Sequence, residues 1–314
     1  MNVRTLPAPT AGMLRAQRPT GIIMAFVVLF IALLAQTIPT VGITIADSLT
    51  GASPAGAASE PALAETHERV RLSVLLLSFA LTIGVLWLWV RAKEQRPFAS
   101  LGFESRRGAL RVALRGAGIG LAMLIVCLLV PLALGEVQLS WAAPSGAGAT
   151  FIFLMLAAFL VQGSAEEILL RGFLTQAVAR RWGLVAAVIT QAVVFAAIHG
   201  ANAGVGVLPV VNLLLFASFA SFLSLADGSL WGICAMHGVW NWAQGNLFGV
   251  AVSGNAAADS LFTITSSGST NELISGGSFG LEGSLVTTAV YLIGVAIAWR
   301  VWRARRGHDE TTPV

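Results

Sequence analysis

Residues 150–178 read TFIFLMLAAFLVQGSAEEILLRGFLTQAV, a stretch that is mostly apolar and yet carries Glu166, Glu167 and Arg171. A helix needs about 20 mostly apolar residues to cross a bilayer, and this stretch is longer than that. Ionisable side chains are costly inside a membrane and usually have a function where they occur. The stretch therefore predicts a transmembrane helix that carries a functional polar site.

The rest of the chain has the composition of a membrane protein. Of its 314 residues, 56% are hydrophobic and 11% are charged, against roughly 25% charged in a typical globular protein. So few charges could not cover a water-facing surface, which excludes a soluble protein, a disordered chain and a coiled coil. The two cysteines, Cys127 and Cys234, lie in apolar runs, which excludes a disulfide scaffold and a cysteine-based metal site.

Hydropathy predicts an all-α polytopic membrane protein with about eight transmembrane helices. The predicted spans are 20–46, 70–91, 110–134, 150–178, 184–203, 207–225, 229–248 and 284–302.

Three regions follow from these spans. Residues 1–149 would hold the first three helices and their loops, and residues 150–248 the polar core. Residues 249–314 would hold an external loop, the last helix and a basic cytoplasmic tail. The segment 249–282 is rich in Gly, Ala and Ser and is predicted to be a flexible external connection.

Basic residues are concentrated in alternate connections between the spans. The opposite connections contain Arg69 as their only basic residue, with Arg71 just inside the next span. Because cytoplasmic loops carry an excess of Lys and Arg, both termini are predicted to lie in the cytoplasm, in a multi-pass protein of the cell (plasma) membrane. The positive charge is thus explained by membrane anchoring, and we expect no nucleic-acid partner. The residues on the predicted inner side are Arg4, Arg15, Arg18, Arg91, Lys93, Arg96, Arg106, Arg107, Arg111, Arg115, Arg180, Arg181, Arg300, Arg303, Arg305 and Arg306.

The fourth predicted helix contains two adjacent carboxylates and one guanidinium. Glu167 and Arg171 are four residues apart, share a helix face and are predicted to form an ion pair. Glu166 is rotated by about 100° from Glu167 and is left as the unpaired carboxylate. A buried glutamate near a cation can serve as a general base at neutral pH. The alternative is a purely architectural network that ties helices together.

Two further polar clusters follow on the fifth and seventh predicted helices. Phe195 and His199 lie one turn apart, and His237 and Asn241 lie one turn apart. A single helical histidine is more often an interhelical donor than a base, but here both membrane-embedded histidines accompany the paired carboxylates. Together the three clusters would supply a base, two imidazoles and an amide that can donate to an oxyanion.

The depth of the three clusters can be counted along the helices at 1.5 Å per residue. Measured from the predicted inner turns, Glu166 lies at about 21 Å, His199 at about 24 Å and His237 at about 12 Å. These levels agree if the inner tips of helices four and five project beyond the bilayer. The site is then predicted to lie shallowly below the cytoplasmic face.

The order Glu-Glu-x-x-x-Arg, Phe-x-x-x-His and His-x-x-x-Asn on successive membrane helices resembles the CPBP family of intramembrane metalloproteases. This family includes CAAX prenyl protease 2 and bacteriocin-processing or immunity proteins. The resemblance covers roughly residues 150–245 and implies an intramembrane endopeptidase of eight helices, with its protease core on helices 4, 5 and 7.

The resemblance also implies a role for each motif residue. Glu166 would activate water with His199 as its partner. His237 and Asn241 would polarise the scissile carbonyl and stabilise the oxyanion. Glu167 and Arg171 would support the site.

The cofactor and the catalytic type stay open at this point. Glu166, His199 and His237 are the candidate ligands for zinc, because two histidines and one glutamate form a known catalytic zinc set. The soluble-type motif His-Glu-x-x-His is absent. A serine protease would use Ser164, but Ala165 stands where such a motif has glycine.

A different class of function is a transporter, or a bacteriocin-immunity protein that acts by binding. Against a transporter, the chain shows neither repeat symmetry nor paired broken helices. The expected partners are membrane lipid and a peptide or membrane-protein substrate. The excess of arginine over lysine is typical of a GC-rich bacterial genome, and bacteria generally lack prenylated CAAX proteins, which favours a substrate without a prenyl group.

Overall fold

The computed structural model describes residues 6–50, 61–104, 107–256, 259–266 and 271–311. Two of the predicted inner-side residues, Arg4 and Arg106, lie outside them. The helices are α1 (Ile22–Thr50), α2 (Pro61–Ala92), α3 (Ala109–Ala133), α4 (Gly146–Glu167), α5 (Thr175–Ile198), α6 (Val207–Asp227), α7 (Trp231–Trp242), the short α8 (Glu272–Ser275) and α9 (Leu285–Thr311). The strands β1 (Val137–Trp141) and β2 (Phe262–Ser266) pair antiparallel.

The protein is an all-α polytopic membrane protein, as predicted. Within the described ranges, six helices are long and apolar enough to cross a membrane. Large apolar side chains on their outer faces, such as Ile23 and Phe30 on α1, are exposed as they would be towards lipid. The six are Ile22–Leu49, Leu63–Ala92, Ala109–Ala133, Gly146–Ile198, Val207–Asp227 and Leu285–Arg306.

Two local features relate these six helices to the eight predicted spans. The 53-residue helix Gly146–Ile198 contains two predicted spans, and the backbone breaks between them at Gly183, which has φ 85° and ψ 172°. The predicted span 229–248 corresponds to the 12 residues of α7 and a π-helical turn of five residues, Ala243–Leu247. This segment is short, and most of its residues are buried by neighbouring helices rather than exposed.

Close contacts at glycine bring α7 against α4. A Cβ on Gly163 would lie 2.8 Å from the backbone nitrogen of Gly238, and a Cβ on Gly238 would lie 2.8 Å from the Cα of Leu160. Small residues allow membrane helices to approach until their backbones touch. The first and third motifs, which lie on α4 and α7, therefore face each other across this contact.

The two ends of the bundle differ in their contacts. At one end, here called the terminal end, Lys93 donates to the carbonyl oxygen of Arg18 (2.9 Å), and Arg115 pairs with Asp227. The opposite end carries the β1–β2 ribbon and is called the ribbon end. There Arg69 on α2 pairs with Asp259 at 2.8 Å.

A buried polar cluster connects the α2–α3 connection to α5 at the terminal end. The guanidinium of Arg96 donates to Glu94 at 2.6 Å and to Gln176 at 2.7 Å. The side chains of Arg96 and Glu94 are both fully buried. Arg96 is therefore a packed structural cation, whereas its place in a basic connection predicted an anchoring charge at the surface.

Candidate active site

The first half of the site is a chain of three buried side chains that joins α7 to the helix after α4. Arg171 Nη1 donates to Glu167 Oε1 at 3.2 Å, so the predicted ion pair is confirmed. His237 Nδ1 lies 2.9 Å from the same oxygen. An ionised carboxylate only accepts hydrogen bonds, so Nδ1 carries the proton and donates it. Glu167 thereby orients the His237 ring and turns its Nε2 atom towards Glu166.

The second half of the site is a hydrogen-bonded chain through Gln162. Its Nε2 atom donates to Glu166 Oε1, and its Oε1 atom accepts from Asn241 Nδ2 at 2.9 Å. The side chain of Gln162 is buried between these two partners. Gln162 therefore connects the two residues that sequence reasoning assigned to water activation and to the oxyanion.

The other carboxylate oxygen of Glu166 is free of protein partners. Glu166 Oε2 is buried and has no hydrogen-bond partner among the described residues. His237 Nε2 lies 3.9 Å from it, which is too far for a direct hydrogen bond. A buried polar atom without a partner is rare in native structures and often marks a catalytic or water-binding role.

Arg171 is held by aromatic rings as well as by its carboxylate. Its guanidinium carbon lies 4.8 Å from the ring centre of Phe195 and 5.8 Å from that of Phe216. Cation–π contacts of this kind are strongest where water is excluded, and the Arg171 side chain is 1% exposed. The phenylalanine of the second motif thus contacts the arginine of the first.

His199 lies at the end of α5, one turn after Phe195. Its Nδ1 atom lies 2.8 Å from the carbonyl oxygen of Phe195, which can only accept, so Nδ1 donates and the neutral ring keeps a lone pair on Nε2. No hydrogen bond joins His199 to Glu166 in the part of the chain that the structure describes. His237 contacts Glu167 directly and lies 3.9 Å from Glu166, while His199 lines the same cavity as Glu166. The role of His199 as the partner of Glu166, which the resemblance implied, stays a prediction.

The three motifs lie at one level of the bundle, while their depth in the membrane stays a prediction. Gly172, six residues after Glu166, packs against Leu230, seven residues before His237. The helix then continues past this level to the break at Gly183. The Phe195 ring lies 6.3 Å from the ring of His237, which brings the second motif to the same place.

A cavity of about 470 Å³ lies beside the site. Apolar side chains of α1, α2 and α4 contribute to its lining and are here called the apolar wall, although Gln36, Thr37 and Thr82 of the same helices also line the cavity. The apolar wall includes Leu33, Leu72, Leu76, Phe79, Met155 and Phe159. The polar side chains of the three motifs and of the ribbon-end connections, here called the polar wall, include Gln162, Glu166, His199, His237, Asn241 and Glu282.

The segment that holds all three motifs is also the segment that matches a known family. Residues 148–243 match the family model described as Type II CAAX prenyl endopeptidase Rce1-like. This match supports the CPBP/CAAX protease family. The family suggests a protease of the CAAX intramembrane type, in keeping with the multi-pass fold. No curated protein and no solved structure matches the chain.

Whether this site could hold a metal ion, as the resemblance to the CPBP metalloproteases implies, depends on the geometry of its candidate ligands. Zinc ligands converge on one point at about 2.0–2.2 Å from the ion. Among the described residues, no three His, Cys, Asp or Glu side chains are grouped so that they could hold a metal ion. The hydrogen bond from His237 Nδ1 to Glu167 is one that metal-bound histidines often make, and Nε2 lies 3.9 Å from Glu166, so these two contacts do not argue against a metal. The candidate set Glu166, His199 and His237 is nevertheless not grouped as a three-ligand zinc site among the described residues, and no step below passes through a metal.

Sequence reasoning missed two polar residues of this CAAX protease-like site. Gln162 lies four residues before Glu166 on the same helix face, so the spacing of polar residues within an apolar helix was a usable signal. Glu282 lies outside the matched segment, in the connection before α9, and no local pattern pointed to the cavity. The boundaries predicted for the three regions, at residues 149 and 248, stay predictions.

Proposed function

We propose that the chain is an intramembrane endopeptidase that hydrolyses a peptide bond of a membrane-associated peptide or protein, with Glu166 as general base. The observation that carries this proposal is the state of the Glu166 carboxylate. One oxygen is oriented by Gln162, and the other is buried without a partner, beside a cavity that two imidazoles and an amide also line. A positioned carboxylate in such a site can take a proton from water.

The reaction follows from the positions of the side chains. Glu166 Oε2 accepts a proton from water, and the hydroxide adds to the scissile carbonyl carbon. The oxygen of that carbonyl becomes an oxyanion, which the protonated His237 ring and the Asn241 amide stabilise as donors. The tetrahedral intermediate collapses, the peptide C–N bond breaks, and Glu166 returns its proton to the leaving amine.

Two further residues position this machinery, and His199 completes the polar wall. Glu167 fixes the orientation of His237, while Gln162 holds Glu166 and Asn241 at a constant separation. His199 lines the same cavity and keeps a lone pair on Nε2, with which it can act as the partner of Glu166 in the proton transfers.

The walls of the cavity indicate the kind of substrate. Leu72 and Phe79 on α2 and Phe159 on α4 form an apolar wall next to the polar site. A peptide that enters from the membrane can place its apolar side chains against this wall while its backbone reaches Glu166. We therefore propose a membrane-associated peptide or membrane protein as substrate, without requiring a prenyl group.

The proposal is tested by comparing the membrane proteomes of cells that carry either the wild type or Glu166→Gln. A cleavage product present only with the wild type is the expected result. Equal product patterns at equal protein levels would contradict the proposal. A transporter would instead show solute flux in liposomes, and that flux would be lost in the variant.

The donors to the oxyanion give a second prediction. His237→Ala and Asn241→Ala are each expected to lower kcat by about 10²–10³-fold, the usual effect of removing one oxyanion donor. His199→Ala is expected to abolish cleavage. Steady-state kinetics on purified protein measure these losses, and Asn271→Ala, at an exposed amide near the ribbon end, is the matched control. Unchanged kcat in the His237 and Asn241 variants would contradict the assignment.

A double-mutant cycle tests whether Gln162 contributes to the rate through Asn241 or independently of it. If Gln162 acts by positioning Asn241, the loss in Gln162→Ala/Asn241→Ala is smaller than the two single losses combined. Simple multiplication of the two single losses would show that Gln162 acts independently of Asn241.

We propose further that the terminal end of the bundle faces the cytoplasm. Lys93, Arg115 and Arg305 all make their contacts at this end, the last with the carbonyl oxygen of Ala226. An excess of cations is typical of the cytoplasmic side, so both termini are assigned there.

The orientation gives a prediction for reporter fusions. Fusions at residues 100, 182 and 310 are expected to be cytoplasmic, and fusions at residues 58, 142 and 265 external. Residue 58 lies outside the described residues. Reporter activity on the opposite side at any of the three inner positions would contradict the eight-span arrangement.

A further inference from the structure

Glu282 lies far along the chain from the three motifs and still lines the same cavity. It belongs to the turn Leu281–Gly283, just before α9, and is partly buried. The connection 249–282 was predicted to be a flexible external linker. Its described residues instead pack against the bundle and carry a carboxylate to the cavity.

The position of Glu282 is fixed by several hydrogen bonds. The backbone nitrogen and the hydroxyl of Ser253 donate to Glu282 Oε2 at 2.6 and 2.8 Å. Asn212 on α6 donates to the backbone carbonyl oxygen of Glu282 at 2.7 Å. Gln244 Nε2 also lies 3.4 Å from Glu282 Oε2. The side chain is thus held through Oε2 and the backbone through its carbonyl, while the other carboxylate oxygen, Oε1, accepts no hydrogen bond from the described residues.

Close packing keeps this connection in place. Gly280 has φ 94°, and a Cβ there would lie 2.0 Å from the carbonyl oxygen of Ala251. Gly254 has φ 83°, and a Cβ there would lie 2.1 Å from the carbonyl oxygen of Ala203. The ribbon-end wall of the cavity is therefore built from segments that touch backbone to backbone.

Among the described residues, no lysine or arginine balances the charge of Glu282. None of the residues that line the cavity is a lysine or an arginine, and Glu282 has no ion-pair partner among the described residues. Burial raises the pKa of the Glu282 carboxyl above its ordinary value, and the two hydrogen bonds from Ser253 and the nearby His199 and His237 oppose this rise. A partly buried carboxylate with no lysine or arginine beside it is stabilised by a positive group that enters the cavity.

We propose that Glu282 is a specificity-determining residue that binds a lysine or arginine side chain of the peptide substrate through Oε1. This inference rests on the proposed peptidase function and adds a substrate class to it. The substrate would be a peptide with apolar residues against the α2 and α4 wall and one basic residue towards the ribbon end. The apolar wall and the Glu282 carboxylate select these two properties together.

The inference is tested with a set of matched peptides. Each carries lysine, norleucine or glutamate at one position, and the position is moved along the peptide. Because norleucine keeps the lysine stem without its charge, the ratio of kcat/KM for the two peptides measures charge recognition. At the best position, the wild type is expected to prefer lysine by on the order of 10–100-fold, the usual effect of a hydrogen bond to a charged group.

Variants of Glu282 separate recognition from folding. Glu282→Gln keeps an acceptor for Ser253 but removes the charge, so the lysine-to-norleucine ratio is expected to fall towards one. Glu282→Lys is expected to shift the preference to the glutamate peptide. Glu272→Gln, which changes an exposed carboxylate in the same connection, is the matched control and should keep the wild-type ratio.

Each outcome decides between the two proposals. No lysine preference in the wild type, or equal loss on all peptides in Glu282→Gln, would overturn the role of Glu282 and leave the peptidase function standing. If the wild type cleaved no peptide, the peptidase function would fall. In that case, binding of the same peptides to the wild type and to Glu282→Gln would still measure recognition of the basic side chain. Equal affinities for the lysine and norleucine peptides would overturn the role of Glu282.

Discussion

Glu166→Gln is expected to abolish peptide hydrolysis and to leave the fold intact. A general base contributes about 10²–10⁴-fold to a rate, and an amide cannot take a proton from water at neutral pH. The glutamine oxygen can still accept the hydrogen bond from Gln162. Burying an unpaired charge is costly and the neutral amide avoids this cost, so the variant should accumulate in the membrane as the wild type does.

Single-turnover cleavage by purified protein and thermal unfolding in detergent measure the two parts of this prediction. Glu272→Gln, at an exposed carboxylate outside the cavity, should behave as the wild type in both assays. If Glu166→Gln kept more than about a tenth of the wild-type rate, well above what loss of a general base permits, another residue would have to be the base.

Arg171→Ala is expected to have the largest effect on stability. It removes the ion-pair partner of Glu167 and the cation between the rings of Phe195 and Phe216. Breaking a buried ion pair costs roughly 3–5 kcal/mol, because an uncompensated charge is left away from water. We expect a lower melting temperature, poor accumulation and little activity.

Two variants show whether the stranded carboxylate is the cause. Arg181→Ala removes an exposed arginine near the break at Gly183 and should change neither stability nor activity. Adding Glu167→Gln to Arg171→Ala removes the stranded charge and should recover part of the melting temperature. A fully stable Arg171→Ala would contradict the energetic role of the pair.

Sequence rules that apply within a single helix predicted the features that depend on that helix alone. The apolar length of the spans identified a polytopic helical membrane protein, because lipid requires about 20 apolar residues for each crossing. The four-residue spacing predicted the contact between Glu167 and Arg171, which is present at 3.2 Å. That contact forms even though the residues Ile168–Leu174 adopt a π-helical turn, which no spacing rule indicated.

The tertiary structure decided which helix faces meet and therefore which residues form the site. The contact of Gly163 with Gly238 places His237 beside the two carboxylates. The same packing inserts Gln162 between Glu166 and Asn241.

Glu282 shows most clearly what the sequence alone could not predict. Its connection has the composition of a linker, yet hydrogen bonds from Ser253 and Asn212 hold it at the cavity. A helix has a fixed rise and rotation per residue, so the sequence alone determined the long apolar helices and the pairs one turn apart. Contacts between helices and loops depend on shape and packing over the whole chain, and only the folded structure determined them.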